Sequence, residues 1–274
     1  MLTRWPFSRR PRLRRLTFFV IVLAALLAGY AVGVEPYWLE VTRHTVPASA
    51  AVRLTSPLRV AHVSDLHTRG LGRRERALLA RLEQERPDLI VITGDTLAGF
   101  GGTHRGTREL LTQLKAPLGV YLVRGNWENW QPPGNEAEHY RLAGVKLLLN
   151  RGESVRPDVW VGGVDDAGNG RPDALAALGA APPGALRILL FHSPAYFDQV
   201  ADQVHFAFSG HTHGGQVRIP FLPPLWLPYG SWPYVEGWYE HGAARMYVSR
   251  GVGTSVLPVR FACRPELAII TIQP

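Results

Sequence analysis

Apolar positions along this chain follow two regimes. Residues 16–34 are uncharged and dominated by Phe, Val, Ile, Leu and Ala, with no polar face at helical spacing. From residue 37 onward apolar residues come in short runs broken by polar residues, Gly and Pro. A helix apolar all round has no side to show water, and at about 1.5 Å per residue this one can just cross a ~30 Å hydrocarbon layer. The pattern predicts a tail over 1–15, one transmembrane helix over 16–34 and a folded body over 35–274. Within the body, alternation over 37–46, stopped by Pro47, predicts an opening strand. The β-rich runs at 58–64 and 88–94 predict buried strands, and between them Leu78, Leu79 and Leu82 give residues 73–86 helical spacing up to Pro87. Helices are expected over 105–115 and 136–142. Strands are expected at 118–123, 145–149, 160–164, 186–191, 204–208, 246–249 and 267–272. The Ala/Pro/Gly-rich stretch 174–185 reads as a surface helix and turn, and no internal repeat is found. The strand-helix-strand rhythm argues for an α/β body of stacked strands covered by helices.

With 274 residues, 46% of them hydrophobic, the chain can bury one large core but not two. Its formal charge of +8 is misleading, because Arg4, Arg9, Arg10, Arg12, Arg14 and Arg15 precede the apolar run and no acid occurs before Glu35. The remainder carries about +2. A nucleic-acid footprint needs charge spread over the folded domain, so nucleic acid is not favoured as a partner. The same arginines set an orientation with the N-terminus cytoplasmic and the body extracytoplasmic. The alternative is a cleaved export signal, since Ser8-Arg9-Arg10 with Leu13 resembles a twin-arginine signal and Ala31-Val32-Gly33 offers small residues for cleavage. Cys263 is the only cysteine, expected as small buried filler, so any metal must bind through nitrogen and oxygen. A monomer is expected.

Polar residues with ligand chemistry fall where the apolar strands end: Asp65 with His67, Asp95, Asn126, His192, and His211 with His213. In open sheets, sites form outside the carboxyl ends of strands, where loops converge on one rim. Two carboxylates, four imidazoles and one amide suit Mn, Fe, Zn, Co or Ni better than Mg or Ca, and seven ligands exceed what one octahedral ion can use. Two divalent ions sharing a carboxylate would use them all. A pair about 3.5 to 4 Å apart activates a shared water and clamps the attacking and leaving oxygens of an in-line displacement at phosphorus.

The motifs Asp65-Leu66-His67, Gly94-Asp95, Gly125-Asn126, His192 and Gly210-His211-Thr212-His213 resemble, in order and spacing, those of the calcineurin-like metallophosphoesterase superfamily. The resemblance spans residues 58–272. The run Gly210-His211-Thr212-His213-Gly214-Gly215-Gln216, with an N-terminal anchor, is similar to a bacterial membrane-associated branch that includes secreted phosphodiesterases and UDP-2,3-diacylglucosamine hydrolases. The resemblance implies a four-layer α-β-β-α sandwich of two mixed sheets. It implies that Asp65, His67 and His213 hold one ion, that Asn126, His192 and His211 hold the other, and that Asp95 bridges. A metal-bridging hydroxide would then attack phosphorus in line, with Asp95, Asn126 and His192 as catalytic residues. Gly94, Gly125 and Gly210 are expected to permit tight turns beside the ligands.

One position departs from that pattern. Many members carry His after Gly-Asn, thought to protonate the leaving group; here Trp127 follows, then Glu128. An indole cannot deliver a proton, which favours a leaving group that departs as a stable anion, as from an anhydride. Glu128, His104 and His241 are the candidate replacements, and Trp127 could instead simply pack over the site. Arg124 and Trp127 are the expected substrate contacts, with Arg69 and Arg73 as further phosphate candidates. His62 reads as a core or supporting histidine, and Asp165 with Asp166 as a cap for the next helix. Between residues 221 and 241 lie Trp226, Tyr229, Trp232, Tyr234, Trp238 and Tyr239, read either as a rigid packed loop and hairpin or as an aromatic wall facing lipid. The expected activity is hydrolysis of a phosphate-containing small molecule or lipid at the bilayer. The alternatives are a catalytically silent scaffold and a nuclease.

Overall fold

Period-two alternation sends successive side chains to opposite faces of a strand. In the computed structural model, which describes residues 11–49, 51–98 and 103–274, it builds two mixed six-stranded sheets packed face to face. One sheet runs β1 (Glu40–Pro47), β12 (Glu266–Gln273), β2 (Leu58–Val63), β3 (Leu89–Ile92), β4 (Val120–Leu122), β5 (Lys146–Leu147). The other runs β10 (Gly237–His241), β11 (Ala244–Val248), β9 (Phe206–Ser209), β8 (Leu186–Leu190), β7 (Val159–Gly163), β6 (Arg151–Arg156). In β2 and β3 the alternation is direct. Val60, Leu89 and Val91 face Ile188, Leu190, Phe206 and Phe208 of the opposite sheet. Ala61, Val63, Ile90 and Ile92 face outward against Leu78 and Leu82 of α2 (Arg73–Glu85) and Leu110 and Leu111 of α3 (His104–Leu111). On the far side, Leu189, Ala207 and Met246 receive Ala177 of α6 (Ala174–Leu178) and Phe197 and Val200 of α7 (Phe197–Val200). Three apolar interfaces make four layers. Each large apolar side chain buried in them contributes roughly 1.5–3 kcal/mol.

Departures from expectation follow the polarity of the segments. β6 has no apolar run to mark it, being an edge strand, polar on both faces and only half buried. The opening strand starts at Glu40, since Pro36 sits in a short 3₁₀ turn. The segment after Gly125 forms a short helix, α4 (Asn126–Trp130), ahead of α5 (Glu136–Leu142). The aromatic stretch contributes β10, paired with β11 as a hairpin.

The first helix, α1 (Pro11–Gly33), makes up most of a stretch, Arg14–Tyr37, long and apolar enough to cross a membrane, and it is almost wholly unburied, which sets it apart from a core helix. Its last turn meets the body, where Arg260 N donates to Ala31 O at 2.9 Å and Tyr30 meets Phe261 edge-on. Residues 1–10 of the expected basic tail lie outside the described residues.

Candidate metal centre

Strands β2, β3 and β4 are parallel in one sheet, and β8 and β9 in the other, so their carboxyl ends open on one rim. All seven ligand candidates lie there, buried. Asp65, His67, Asp95, His211 and His213 adopt left-handed backbone, with φ between 39° and 72°. Such conformers cost roughly 1–3 kcal/mol each and persist where the surroundings over-determine them, as at functional sites. The glycines act differently from expectation. Of Gly94, Gly125 and Gly210, Gly94 has positive φ, at +87°, and the other two do not. Gly125 and Gly210 are required by close approach: a Cβ would come within 2.3 Å of the Asp95 carboxylate in the first case and 1.8 Å of Ser64 Oγ in the second.

The side chains form two adjoining groups. Asp65, His67 and His213 offer ligand atoms within 4.8 Å of one another, as do Asp95, His192 and His211. Asn126 Oδ1 joins the second group, 3.2 Å from His192 Nε2. Asp95 Oδ2 lies between the groups, 3.6 Å from His67 Nε2 and 3.3 Å from His192 Nε2. Backbone carbonyls orient the rings. His67 Nδ1 donates to Leu97 O at 3.2 Å, His192 Nδ1 to Thr93 O at 2.7 Å and His211 Nε2 to Tyr229 O at 2.8 Å. The hydrogen-bond network therefore leaves the inward nitrogens of His192 and His211 as lone pairs facing each other at 3.0 Å. Only a proton or a cation between them relieves that repulsion, so the donor set fits a divalent metal.

Electrostatics agree. Burial, with the neighbouring imidazoles, pushes the His213 pKa well below its usual value, and burial lowers those of His67 and His211. Burial also opposes charge on His192 and Asp95, but their mutual attraction prevails, holding Asp95 below and His192 above their ordinary ranges. A metal binding in the second group would therefore compete with a proton on His192.

A supporting layer fixes these loops. Glu128 accepts from Asp95 N and Gly125 N, both at 2.8 Å, and from Thr96 N and Oγ1 at 2.7 and 2.8 Å. Both of its carboxylate oxygens are thus engaged as a clip on these loops. Asp65 Oδ2 accepts from Ser64 Oγ at 2.6 Å, Ser64 from Thr93 Oγ1 at 2.7 Å, and Thr93 from His62 Nε2 at 2.8 Å. His104 packs edge-on to His139 and His241 edge-on to Phe197, and neither lines the cavity at the site. Arg124 is bound by Glu136 through Nε at 2.9 Å, by Asn129 Oδ1 at 3.2 Å and lies 3.9 Å from Asp165, also away from that cavity. Arg69 and Arg73 do not line it either. Asp165 and Asp166 do not cap α6, whose cap is Asp173; they pin the 165–171 loop through Arg171 N and Asn169 N. Trp127 does reach the cavity, its backbone N–H donating to Asp95 Oδ1 at 3.0 Å and its ring lying edge-on to His67.

The cavity, about 690 Å³, reaches Asp95, Asn126, His211 and His213 at one end. Its walls are Trp127, Trp130, Trp226, Tyr229, Val256 and Leu257. No motif or periodicity in the sequence marks Trp130 or residues 255–257.

Fold and rim together define an α/β metallophosphatase-like protein, and comparison with known proteins narrows the class. Residues 58–215 match the calcineurin-like phosphoesterase family, so the chain belongs to that family. It is 30% identical to the metallophosphoesterase YkuE of Bacillus subtilis, over 97% of this chain and 98% of that protein. It is 28% identical to the phosphodiesterase YaeI of Escherichia coli, over 88% of this chain and 91% of that protein. A zebrafish (Danio rerio) transmembrane protein with metallophosphoesterase domain is 27% identical over 94% of this chain and 63% of its own length.

Proposed function

We propose that this chain is a membrane-anchored hydrolase of phosphate esters or anhydrides that works with two divalent ions. The carrying observation is the meeting of two three-residue ligand groups across Asp95, with ring nitrogens oriented inward by backbone carbonyls. Asp65, His67 and His213 would hold one ion, Asn126, His192 and His211 the other, and Asp95 would bridge; Mn, Fe, Zn, Co and Ni all suit this set. Two such ions supply Lewis acidity toward a phosphoryl oxygen and an activated water. The chain itself does the positioning. Glu128 fixes the Asp95 loop, His62, Thr93 and Ser64 orient Asp65, and Trp127 covers the centre with a ring that cannot donate a proton to a leaving oxygen.

Substrates with stable leaving groups therefore fit best, on an envelope lipid or a nucleotide-sugar or lipid phosphate. The name of the related YaeI protein supports ester hydrolysis. We read residues 1–15 as cytoplasmic, 16–34 as the anchor and 35–274 as the extracytoplasmic catalytic domain.

The test is metal-dependent hydrolysis of bis-p-nitrophenyl phosphate, p-nitrophenyl phosphate and UDP-sugars by the purified chain. Asp95→Asn and His192→Ala are expected to lose nearly all turnover with the fold retained. Turnover in either variant at the parent rate would sink the assignment, and no hydrolysis with any metal would favour a silent scaffold. Salt-sensitive binding and cleavage of DNA would favour a nuclease.

A further inference from the structure

The cavity leaves the candidate centre between two loops whose outer sides are apolar and uncovered. Phe221 is 106% exposed, Trp226 70%, and Ile219, Leu222, Val256 and Leu257 are also exposed. Large apolar side chains left exposed together on the loops at one rim mark a binding face.

These loops are joined to the last turn of α1. Arg260 N donates to Ala31 O, and the adjacent Phe261 pairs with the 216–218 segment through Phe261 N to Gln216 O at 3.1 Å and Arg218 N to Phe261 O at 2.9 Å. Gln216 in turn donates from Nε2 to Ser255 O at 3.1 Å and Leu257 O at 3.2 Å. The rim is therefore continuous with the point where the apolar helix ends. At that point Tyr37 and Trp38 lie exposed beneath cations, with Arg73 5.5 Å from the Tyr37 ring and Arg264 4.2 Å from that of Trp38. Aromatic rings paired with arginines are what a chain presents at the headgroup level of a bilayer.

The geometry points to the apolar rim at Ile219, Phe221, Leu222, Trp226, Val256 and Leu257 lying in the lipid interface beside the anchor, so that the cavity mouth opens on the bilayer and admits a lipid phosphoanhydride laterally. The inference rests on the hydrolase reading for its substrate and on the rim's geometry for its membrane contact. Acyl chains would lie along Trp226, Val256 and Leu257 while the phosphates reach the ligand residues. For CDP-diacylglycerol, water adds across the phosphoanhydride, leaving phosphatidic acid in the membrane and releasing CMP.

The test uses the full chain in vesicles of phosphatidylethanolamine and phosphatidylglycerol. Nitroxide labels are placed at Phe221→Cys, Val256→Cys and, on the outer helical layer, Leu175→Cys, which is 76% exposed; the native Cys263 is buried out of reach. Labels at 221 and 256 are expected to be relaxed by oxygen more than by a nickel chelate, and the label at 175 the reverse. If all three are equally open to the chelate, the membrane contact is refuted. Shielding of 221 and 256 from both agents that disappears on protein dilution means a second copy covers the rim, and refutes it too. In the same vesicles Phe221→Asp, outside the cavity wall, is expected to slow CDP-diacylglycerol hydrolysis about tenfold and to leave bis-p-nitrophenyl phosphate hydrolysis unchanged. Equal rates on the lipid, or wild-type turnover of the soluble diester but not the lipid, overturn lateral delivery. Turnover of neither by the wild type overturns the hydrolase reading, and the label depths still decide the membrane contact.

Discussion

Glu128→Gln separates the two roles open to this residue. Sequence makes it a candidate acid replacing the missing histidine, whereas its geometry makes it a clip with four hydrogen bonds of 2.7–2.8 Å into the Asp95, Thr96 and Gly125 backbone and the Thr96 hydroxyl. Glutamine keeps one acceptor oxygen and turns an NH₂ toward buried N–H donors, so one of the two pairs is lost. With hydrogen bonds to a charged acceptor contributing about 1.5–3 kcal/mol each, losing two costs about 3–6 kcal/mol. For a body of this size that is a fall in Tm of about 10 °C. Asp95 hangs on the same loop, so metal affinity should fall about 10- to 100-fold, as for other residues that orient metal ligands. Scanning calorimetry, metal titration and a pH-rate profile on the variant measure all three. The clip predicts lower Tm, weaker metal binding and an unmoved profile at saturating metal. An unchanged Tm and affinity with one limb of the profile lost would make Glu128 the acid and refute the reasoning.

Other perturbations follow from the same geometry. Trp127→His should raise kcat/KM on alkyl phosphate esters more than on phosphoanhydrides, and equal gains would contradict the leaving-group argument. Arg124→Ala should lower stability through the loss of the Glu136 and Asn129 contacts while leaving KM nearly unchanged, because the guanidinium lies away from the cavity; a large rise in KM would return it to the substrate. His62 is fully buried, and burial holds its pKa to about 3 against 6.5 in the unfolded chain. The unfolded state takes up that proton first, so stability present above pH 6.5 is lost as pH falls toward 3, on the order of 3 kcal/mol by about pH 4. Denaturant titrations across that range should show a shallower loss in His62→Gln, and identical slopes would exclude His62 as the cause.

The layered fold was legible because its strands are apolar runs with period two, and because helices with Leu78 and Leu82 intervene. The candidate site was legible for a related reason: the candidate ligands fall at or within a few residues of the ends of such runs, and parallel strands bring those ends to one rim. What pattern could not convey was pairing in space. Glu128 follows Gly125 at the spacing of a capping box, a signal of local structure, yet its second partner is Asp95, 33 positions away. Arg124 sits beside Asn126 in sequence but turns to Glu136, because a charge near a site finds whichever carboxylate the fold offers first. Left-handed backbone at five of the candidate ligands also leaves no mark, since Asp and His at these positions read first as chemistry. The cavity wall at residues 255–257 lies in an irregular loop, fixed only by Gln216 from across the rim.

Whether the residues from Asp65 to His213 form a two-ion centre is decided by elemental analysis of the full chain. Mass-spectrometric metal counting after purification in manganese, iron or zinc is expected to give about two transition-metal ions per chain. His213→Ala and His211→Ala should each remove about one, and Asp95→Asn should weaken both. One ion or none per wild-type chain, or a full complement in all three variants, would contradict the two-ion centre.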